Sequence, residues 1–333
     1  MKRILVVGGG LIGIRHVEAV EAHPKCTLVG LVDPDQSIEP HLARYADMID
    51  VTGPVDGVII ATPTGLHAQH GIYTASRGWP MLIEKPVTSD MAEAQKLAQA
   101  IAQSGVGSLV GHHRRYHAPV RQLKRLIAEG RIGKPVCANL IWAMRKPDAY
   151  FEQNWRTAGG SPVMINLVHD IDTLRFIMGD IVATTGLRGT GLRDGARIES
   201  GAVALAFANG ATGTISFADT SPSPWGFEAA TGENPNIGTT GQDMMWIMGT
   251  EGAVSFPSMT LWSGTQWDRA AERKELEIDV NIKPPLAAQL DHFLEVIDGA
   301  RPLIDVADAM QTLSTTLEIE TQLSPRLREV AHV

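Results

Sequence analysis

Apolar residues in the first third of the chain alternate between short continuous runs and stretches with helical spacing. Continuous runs at Ile4–Val7 and Thr27–Val32 indicate strands that are buried on both faces. Between them, apolar residues recur every three or four positions from Leu11 to Val20, which predicts an amphipathic helix. Alternation of this kind predicts an α/β fold with a doubly wound parallel sheet over residues 1–118.

The pattern changes beyond this first domain. Short alternating strands at Val203–Phe207 and Ile215–Phe217 flank Asn209-Gly210, a two-residue hairpin signal. We therefore expect a hairpin in this uncharged stretch and no membrane-spanning helix. Helical spacing returns near the C-terminus. Residues 119–333 are predicted to form an α+β domain with a mostly antiparallel open sheet, whose C-terminal helices can pack back on the first domain.

Composition narrows the class of protein. Of the 333 residues, 44% are hydrophobic and 20% are charged, which is typical of a folded chain. The 37 Asp and Glu residues exceed the 29 Lys and Arg residues, and the net charge of −8 argues against a nucleic-acid binder. Cys26 and Cys137 cannot build a disulfide framework, and the basic start at Met1–Arg3 lacks a signal-peptide cleavage site. We therefore expect a cytoplasmic protein with no membrane partner.

A glycine-rich turn follows the first predicted strand. It matches the dinucleotide fingerprint G-x-G-x-x-G and reads Gly8-Gly9-Gly10-Leu11-Ile12-Gly13. In this fingerprint Gly8 permits the tight turn, Gly10 lets a pyrophosphate approach the backbone, and Gly13 lets the helix pack closely on the strand. The phosphates would lie against free N–H groups at the start of the helix, at Leu11 and Ile12. The turn therefore predicts a Rossmann-type dinucleotide site.

An acidic residue ends the second predicted strand. Asp33 stands 20 residues after Gly13, where a carboxylate accepts hydrogen bonds from the adenosine ribose hydroxyls. No arginine follows until Arg44, and the carboxylate would repel the 2′-phosphate of NADP. The sequence therefore favours NAD over NADP as the cofactor.

Several sequence blocks along most of the chain resemble the glucose–fructose oxidoreductase / inositol dehydrogenase (Gfo/Idh/MocA) family. They are the fingerprint with Asp33, Ala61-Thr62-Pro63-Thr64-Gly65-Leu66-His67, Glu84-Lys85-Pro86, and Gly159-Gly160 leading to His169-Asp170-Ile171-Asp172. The stretch from Gly111 to Tyr116 is also similar to the segment after that family's sixth strand. The order and spacing of these blocks are specific for the family but not for one substrate.

The resemblance implies where cofactor and substrate bind. The residues it places along the cofactor are Ala61, Thr62, Pro63 and His67. Glu84 and Lys85 would lie near the nicotinamide, before a Lys85–Pro86 bond that is often cis in the family, and His169 would face the reacting carbon. The second domain would bind the substrate. Its open sheet would be buried against another subunit, which implies a homodimer or homotetramer.

Lys85 and His169 suit acid–base chemistry on the residues alone. Lys85 ends a buried strand, and an ammonium beside a bound hydroxyl favours the developing alkoxide and relays its proton. Without the other blocks, Glu84 and Lys85 would equally suit a structural ion pair. His169 shares a helical face with Asn166 and Asp172, and histidine is the usual acid–base residue near neutral pH. A lone helix histidine, however, is more often structural.

One position departs from the family pattern. Inositol dehydrogenases often have an aspartate four residues before this histidine, and here that residue is Ile165. Asn166 beside it can orient a substrate hydroxyl but cannot act as a base, which argues against a carboxylate-assisted proton relay. Arg114 and Arg145-Lys146 are either anion contacts or charges at solvent or at an interface.

Other polar residues are candidates for substrate contact. The full set is His113, Arg115, Tyr116, Tyr150, Trp155, Arg156 and Asn166. Its two arginines favour a carboxylate, whereas neutral polyols are more often held by amides and aromatic rings. The histidines at 112, 113 and 117 have no carboxylate or cysteine to complete a ligand set, so no metal site is predicted.

Three classes of function fit these motifs. The leading hypothesis is an NAD-dependent dehydrogenase that oxidises a secondary hydroxyl of a small sugar, cyclitol or related polyol to a ketone. A carboxylated cyclic alcohol or a dihydrodiol is the alternative substrate. The second class is an NAD-dependent glycosidase that uses transient oxidation, and the third is a non-catalytic dinucleotide sensor.

Overall fold

The computed structural model describes residues 1–38, 41–151, 161–193, 197–264, 266–278 and 283–324. They form two compact units. The first contains the described residues up to His117 together with residues 283–314, and the second contains residues 118–278 and 315–324 apart from the gaps.

A six-stranded, all-parallel sheet forms the first unit. Its strands are β1 (Lys2–Val7), β2 (Cys26–Val32), β3 (Arg44–Tyr45), β4 (Gly57–Ile60), β5 (Met81–Ile83) and β6 (Ser108–Val110). The order is β3-β2-β1-β4-β5-β6, so the winding reverses between β1 and β4. Every residue of β4 and β5 is buried, which is why these strands have continuous apolar runs. The prediction of a doubly wound parallel sheet is confirmed.

Helices occur in both units. In chain order they are α1 (Leu11–Glu21), α2 (His67–Ser76), α3 (Met91–Ser104), α4 (Ala118–Ala128), α5 (Val168–Met178), α6 (Phe227–Thr231), α7 (Pro285–Ile297) and α8 (Val306–Leu323). Single 3-10 turns cover Met48–Asp50, Thr64–Leu66, His113–Tyr116 and Asp148–Phe151.

Local signals explain the ends of these helices. The Asp90 side chain accepts a hydrogen bond from the Glu93 N–H at 2.9 Å, so Asp90 rather than Ser89 caps α3. Gly105 ends α3 with φ +70°, a left-handed conformation that glycine adopts without strain. Asp305 accepts from the Asp308 N–H at 2.8 Å and caps α8.

Helix α7 belongs to the first unit. A Cβ atom on Gly57 of β4 would lie only 2.5 Å from Cδ1 of Ile297, so the helix packs directly on this strand. Beyond the end of α1, His23 Nε2 lies 2.8 Å from a carboxylate oxygen of Asp291 in α7. Both contacts join segments that are far apart in sequence.

An eight-stranded sheet forms the second unit. Its strands are β7 (Pro135–Ala143), β8 (Ile181–Arg188), β9 (Ser200–Phe207), β10 (Thr212–Ala218), β11 (Met245–Gly249), β12 (Gly252–Phe256), β13 (Thr260–Ser263) and β14 (Glu272–Glu275). Their order is β14-β13-β12-β11-β7-β10-β9-β8. All neighbouring pairs are antiparallel except β7 and β10. The prediction of a mostly antiparallel sheet is confirmed.

The hairpin between β9 and β10 forms at the predicted turn. Gly210 has φ +87°, and the Asn209 side chain accepts a hydrogen bond from the Ala211 N–H at 3.0 Å. The uncharged stretch is therefore two paired strands. None of the helices that the structure describes has the length and apolar content needed to span a bilayer.

Candidate active site

Two glycines of the fingerprint are required by close backbone approaches. Gly8 has φ +100°, and a Cβ atom there would lie 2.6 Å from the carbonyl oxygen of Ala61. A Cβ atom on Gly13 would lie 1.9 Å from the carbonyl oxygen of Gly8. The turn and α1 can therefore pack against the ends of β1 and β4 only when both residues are glycine.

Gly10 is different, because a Cβ atom there would meet nothing within 4 Å. The open space lies at the start of α1, where Gly10 is the N-cap residue and no side chain caps the helix. Leu11, Ile12 and Gly13 follow as the first helical residues, so their N–H groups have no partner within the helix. An open, uncapped N-terminus with positive helix-dipole potential fits the pyrophosphate of a dinucleotide.

Asp33 is held beside this turn by main-chain donors. One carboxylate oxygen accepts from the Gly9 N–H at 2.7 Å, and the other accepts from the Asp35 N–H at 2.8 Å. The side chain is half-buried, and each oxygen keeps a lone pair for a further donor. Both oxygens can therefore accept further hydrogen bonds beside the glycine turn, and contact of Asp33 with the ribose hydroxyls of NAD stays a prediction.

The segment after β4 is held by a buried histidine. His67 is 1% exposed, with Nδ1 at 2.9 Å from the Pro86 carbonyl oxygen and Nε2 at 2.8 Å from the Thr62 carbonyl oxygen. Burial lowers the pKa of His67, although both carbonyls favour its protonated form. His67 thus joins the turn of Ala61, Thr62 and Pro63 to the turn after β5.

Glu84 and Lys85 follow β5 directly. Glu84 is 5% exposed; His16 Nε2 lies 2.9 Å from its Oε1, and its Oε2 accepts from the Lys85 N–H at 3.1 Å. Burial opposes ionisation of this carboxyl group, but the His16 hydrogen bond and the charges of His16, His113 and Lys85 outweigh it and lower its pKa to about 2. The Lys85–Pro86 bond is cis, as the resemblance implies.

Three substrate candidates follow β6 in the first unit. Arg115 is 4% exposed, and its guanidinium donates to Asp308 of α8 at 2.6 Å. The Tyr116 hydroxyl lies 2.7 Å from Nδ1 of His292 in α7. His113 is half-buried and near enough to Glu84 to lower its pKa. Arg115 and Tyr116 thus have structural partners, and their contact with substrate stays a prediction.

His169 lies in the first turn of α5 and is 8% exposed. A π-helical turn at Val163–Leu167 precedes α5 and contains Ile165 and Asn166. This turn was not predicted, and π turns are often found at functional sites. Gly179, with φ +96°, ends α5.

Two further substrate candidates are brought together by a buried cation. Lys146 is 6% exposed, and its Nζ donates to Oδ1 of Asn166 at 2.7 Å. The same Nζ lies 4.8 Å from the ring centre of Tyr150 and 5.3 Å from that of Trp142. Aromatic faces stabilise an ammonium group. Lys146, Tyr150 and Asn166 therefore form one cluster in the second unit.

The remaining predicted residues lie outside the described residues. They are Trp155, Arg156 and the pair Gly159-Gly160.

Sequence reasoning missed two groups of residues. His16 stands three positions after Gly13, so a polar residue on the buried face of α1 was the available signal. The second group surrounds Asp219, which is fully buried and accepts from Arg193 at 2.9 Å and from Arg197 at 2.7 Å. No local signal marked these arginines. Within the described residues, no three histidine, cysteine, aspartate or glutamate side chains are grouped to hold a metal ion.

Two family models match most of the chain. The model described as "Oxidoreductase family, NAD-binding Rossmann fold" matches residues 2–112. The GFO/IDH/MocA C-terminal domain matches residues 120–255.

Curated relatives match over different lengths. The chain is 33% identical over 165 residues to 1,5-anhydro-D-fructose reductase of Ensifer adhaerens, in an alignment that spans 45% of this chain and 49% of the reductase. It is 25% identical over 327 residues to scyllo-inositol 2-dehydrogenase (NAD(+)) of Bacillus subtilis (strain 168), which spans 92% of this chain and 90% of that protein. The first match thus covers about half of its relative.

A solved structure has the same fold. An oxidoreductase from Agrobacterium radiobacter, in complex with NAD+, L-tartaric acid and magnesium, aligns with a TM-score of 0.78 over 97% of this chain and 96% of that chain, at 18% identity. Both halves of the chain match models of one family, and the open glycine turn with Asp33 has the shape that a dinucleotide requires. The chain therefore belongs to the GFO/IDH/MocA family of oxidoreductases, and its N-terminal domain is an NAD-binding Rossmann domain.

Proposed function

We propose that this protein is an NAD-dependent dehydrogenase that oxidises a secondary hydroxyl of a sugar, cyclitol or related polyol to a ketone. The observation that carries the proposal is the arrangement of one sheet edge. The carboxyl ends of β1, β2, β4 and β5 hold the glycine turn, Asp33, the Thr62–Pro63 turn and Lys85. Ligands of open α/β sheets bind at this edge, so a lysine lies where a cofactor is expected.

Oxidation of the alcohol requires one acceptor for a hydride and another for a proton. The C–H bond of the alcohol breaks and its electron pair leaves as hydride, while the hydroxyl proton passes to a side chain. A bound nicotinamide ring supplies the hydride acceptor. Lys85 stabilises the developing alkoxide and relays the proton, and His169 serves as the second acid–base group.

A second substrate class is favoured by one observation. Lys146 is a buried cation that already binds Asn166, and cations of this kind recognise carboxylates. A carboxylated cyclic alcohol is therefore the alternative to a neutral polyol. The Lys146 ammonium would then bind the carboxylate while the secondary hydroxyl is oxidised.

Exposed apolar residues on and beside the sheet of the second unit support a homo-oligomer. Leu187 of β8 is 72% exposed and Trp225 is 40% exposed, and both line one shallow depression with Ile141 of β7. Exposed apolar surface of this kind marks interfaces. A second copy of this chain is the proposed occupant. A Leu187→Glu variant should have a lower mass than the wild type in light scattering, and equal masses would contradict the proposed interface.

The test of the activity is a screen of the purified protein against polyols, sugars and cyclic hydroxy acids, followed by NADH absorbance. NADH formation with a secondary alcohol of this class supports the proposal. Release of an aglycone without net NADH would show the glycosidase, and NAD binding without turnover on any substrate would show a sensor. A best substrate that is an apolar alcohol, or an amine, would overturn the proposal.

A further inference from the structure

A buried bridge joins the cofactor-binding helix to the residue before Lys85. His16 of α1 is 2% exposed, and its Nε2 lies 2.9 Å from Oε1 of Glu84. An ionised carboxylate has no proton to give, so Nε2 carries the proton and donates. His16 is three residues after Gly13, on the same face of α1. The close packing that Gly13 permits is therefore also what brings His16 within reach of Glu84.

The other oxygen of this carboxylate holds the backbone of Lys85. Oε2 of Glu84 accepts from the Lys85 N–H at 3.1 Å. Gly111 leaves the room for it, because a Cβ atom there would lie 2.9 Å from Cδ of Glu84. The Glu84 carboxylate thus connects α1 on one side with the main chain of Lys85 on the other.

The charges around Glu84 come from several elements. His16 of α1, His113 of the turn after β6 and Lys85 all lower the pKa of Glu84 against the effect of its burial. Glu84 in turn favours the protonated form of His67 in α2. Among these groups, His16 makes the direct hydrogen bond. Removing one partner of a buried ion pair leaves an uncompensated charge that must be neutralised or exposed to solvent.

We propose that His16 is a positioning residue for the acid–base step: by holding the Glu84 carboxylate, it fixes the main chain and the electrostatic surroundings of Lys85. The inference rests on the proposed function, in which Lys85 assists proton transfer. Without the donor at position 16, Glu84 would become protonated or move. Lys85 would then lose both its main-chain acceptor and a neighbouring negative charge, which would lower the pKa of its ammonium group.

Two amide variants separate hydrogen bonding from packing. The amide nitrogen of glutamine takes the place of Nε2, and that of asparagine takes the place of Nδ1, so only His16→Gln can reach Oε1 of Glu84. We expect kcat to fall about tenfold or more in His16→Asn, with less than about threefold change in the KM for NAD. His16→Gln should restore kcat to within about threefold of the wild type.

The control is a second histidine–carboxylate pair of the same unit. His23 Nε2 lies 2.8 Å from Asp291, and His23 precedes the first residue of β2, whereas Asp33 follows the last residue of that strand. His23→Asn should lower the melting temperature without changing kcat. This control shows how kcat and the melting temperature respond when a purely structural histidine–carboxylate pair is lost.

A second measurement needs no turnover. Lysines labelled by reductive [13C]methylation titrate in NMR spectra, and the Lys85 signal is the one absent from Lys85→Arg. We expect the pKa of Lys85 to fall by at least about half a unit in His16→Asn and to stay near the wild-type value in His16→Gln and His23→Asn. If the wild type oxidises no polyol, the proposed function fails, but this titration still tests His16.

One combination of results would contradict the proposed role of His16. If His16→Asn and His16→Gln show the same kcat and the same Lys85 pKa as the wild type, and differ only in melting temperature, His16 is structural and the proposal is wrong. Should His16→Asn not fold, His16→Met takes its place, because it fills a similar volume without a donor. The same criteria then apply to it.

Discussion

The candidate cofactor residues of the first unit and the Lys146 cluster of the second unit differ in how far main-chain groups hold them. In the first unit Asp33, His67 and Glu84 bind main-chain groups at the ends of parallel strands. In the second unit Lys146 binds the side chain of Asn166 and lies over two aromatic rings.

This difference separates residues that the backbone holds in place from a cluster that side-chain substitutions can adjust. Main-chain partners remain in place when side chains change, so the contacts of Asp33 and His67 do not depend on which side chains bind the substrate. Contacts between side chains can be replaced one residue at a time, so the Lys146 cluster can change selectivity without changing the fold. Substitutions in the first group should therefore reduce turnover on every substrate. Substitutions around Lys146 should redistribute activity among substrates.

The largest effect is expected at the two proposed acid–base residues, Lys85 and His169. Lys85→Ala or His169→Ala should lower kcat by ~10²–10⁴, the usual contribution of general acid–base catalysis. NAD affinity, measured by quenching of tryptophan fluorescence, should change far less. Near-native turnover in either variant would show that the substituted residue is not an acid–base group.

A smaller effect is expected for cofactor choice. Asp33→Ala should lower kcat/KM for NAD by about 10–100-fold, because hydrogen bonds to a charged acceptor contribute about 1.5–3 kcal/mol. The substitution should also narrow the preference for NAD over NADP, since no carboxylate then repels the 2′-phosphate. Asp35→Ala is the control, because its carboxylate lies in the same loop and binds Ser37. A wild type that prefers NADP would contradict this assignment.

The Lys146 cluster should affect selectivity more than rate. Lys146→Met should raise KM about tenfold for a carboxylated cyclic alcohol, through the loss of a charge-assisted hydrogen bond, and by less than about threefold for a neutral polyol. The neighbouring Arg145 is exposed, so Arg145→Met is the control. Equal effects on acidic and neutral substrates would remove the argument for carboxylate recognition.

The smallest effect concerns the pH dependence of stability. Its sign is opposite at Glu84 in the first unit and at Glu320 in the second unit. The pKa of Glu84 is lowered from 4.5 to about 2, so the unfolded chain binds more protons in this window and stability falls as the pH falls from about 4.5 to about 2. Burial raises the pKa of Glu320, which accepts a hydrogen bond from Ser161, so its contribution to stability falls as the pH rises above 4.5.

Calorimetry at a series of pH values tests this pair. Glu84→Gln should flatten the acid limb of the melting-temperature curve, while Glu320→Gln should flatten the decline above pH 4.5. The Arg3 hydrogen bond lowers the pKa of Asp56 to about 2 despite partial burial. Asp56 should therefore preserve part of the acid limb in the Glu84→Gln variant. Identical curves for the two variants would contradict the opposite signs.

Much of the first unit could be predicted because its signals are local. The glycine turn and the ends of β1 and β2, with Asp33 after β2, follow from steric and apolar patterns within a few residues of each position. In the second unit the Asn209-Gly210 hairpin was predicted for the same reason. The π-helical turn before His169 was not predicted, because its apolar residues have the same spacing pattern as an ordinary helix.

The sequence by itself determined the sheet types and the dinucleotide turn, since each depends on conformational limits of neighbouring residues. The candidate acid–base residues Lys85 and His169 came from the resemblance of their sequence blocks to the family. Only the tertiary structure decided which side chains meet. His16 and Glu84 are 68 positions apart, and Arg115 and Asp308 are 193 positions apart. Such pairs form because folding brings the ends of distant strands and helices together. A buried charge is costly unless it is paired, so its partner is a side chain that the fold places beside it.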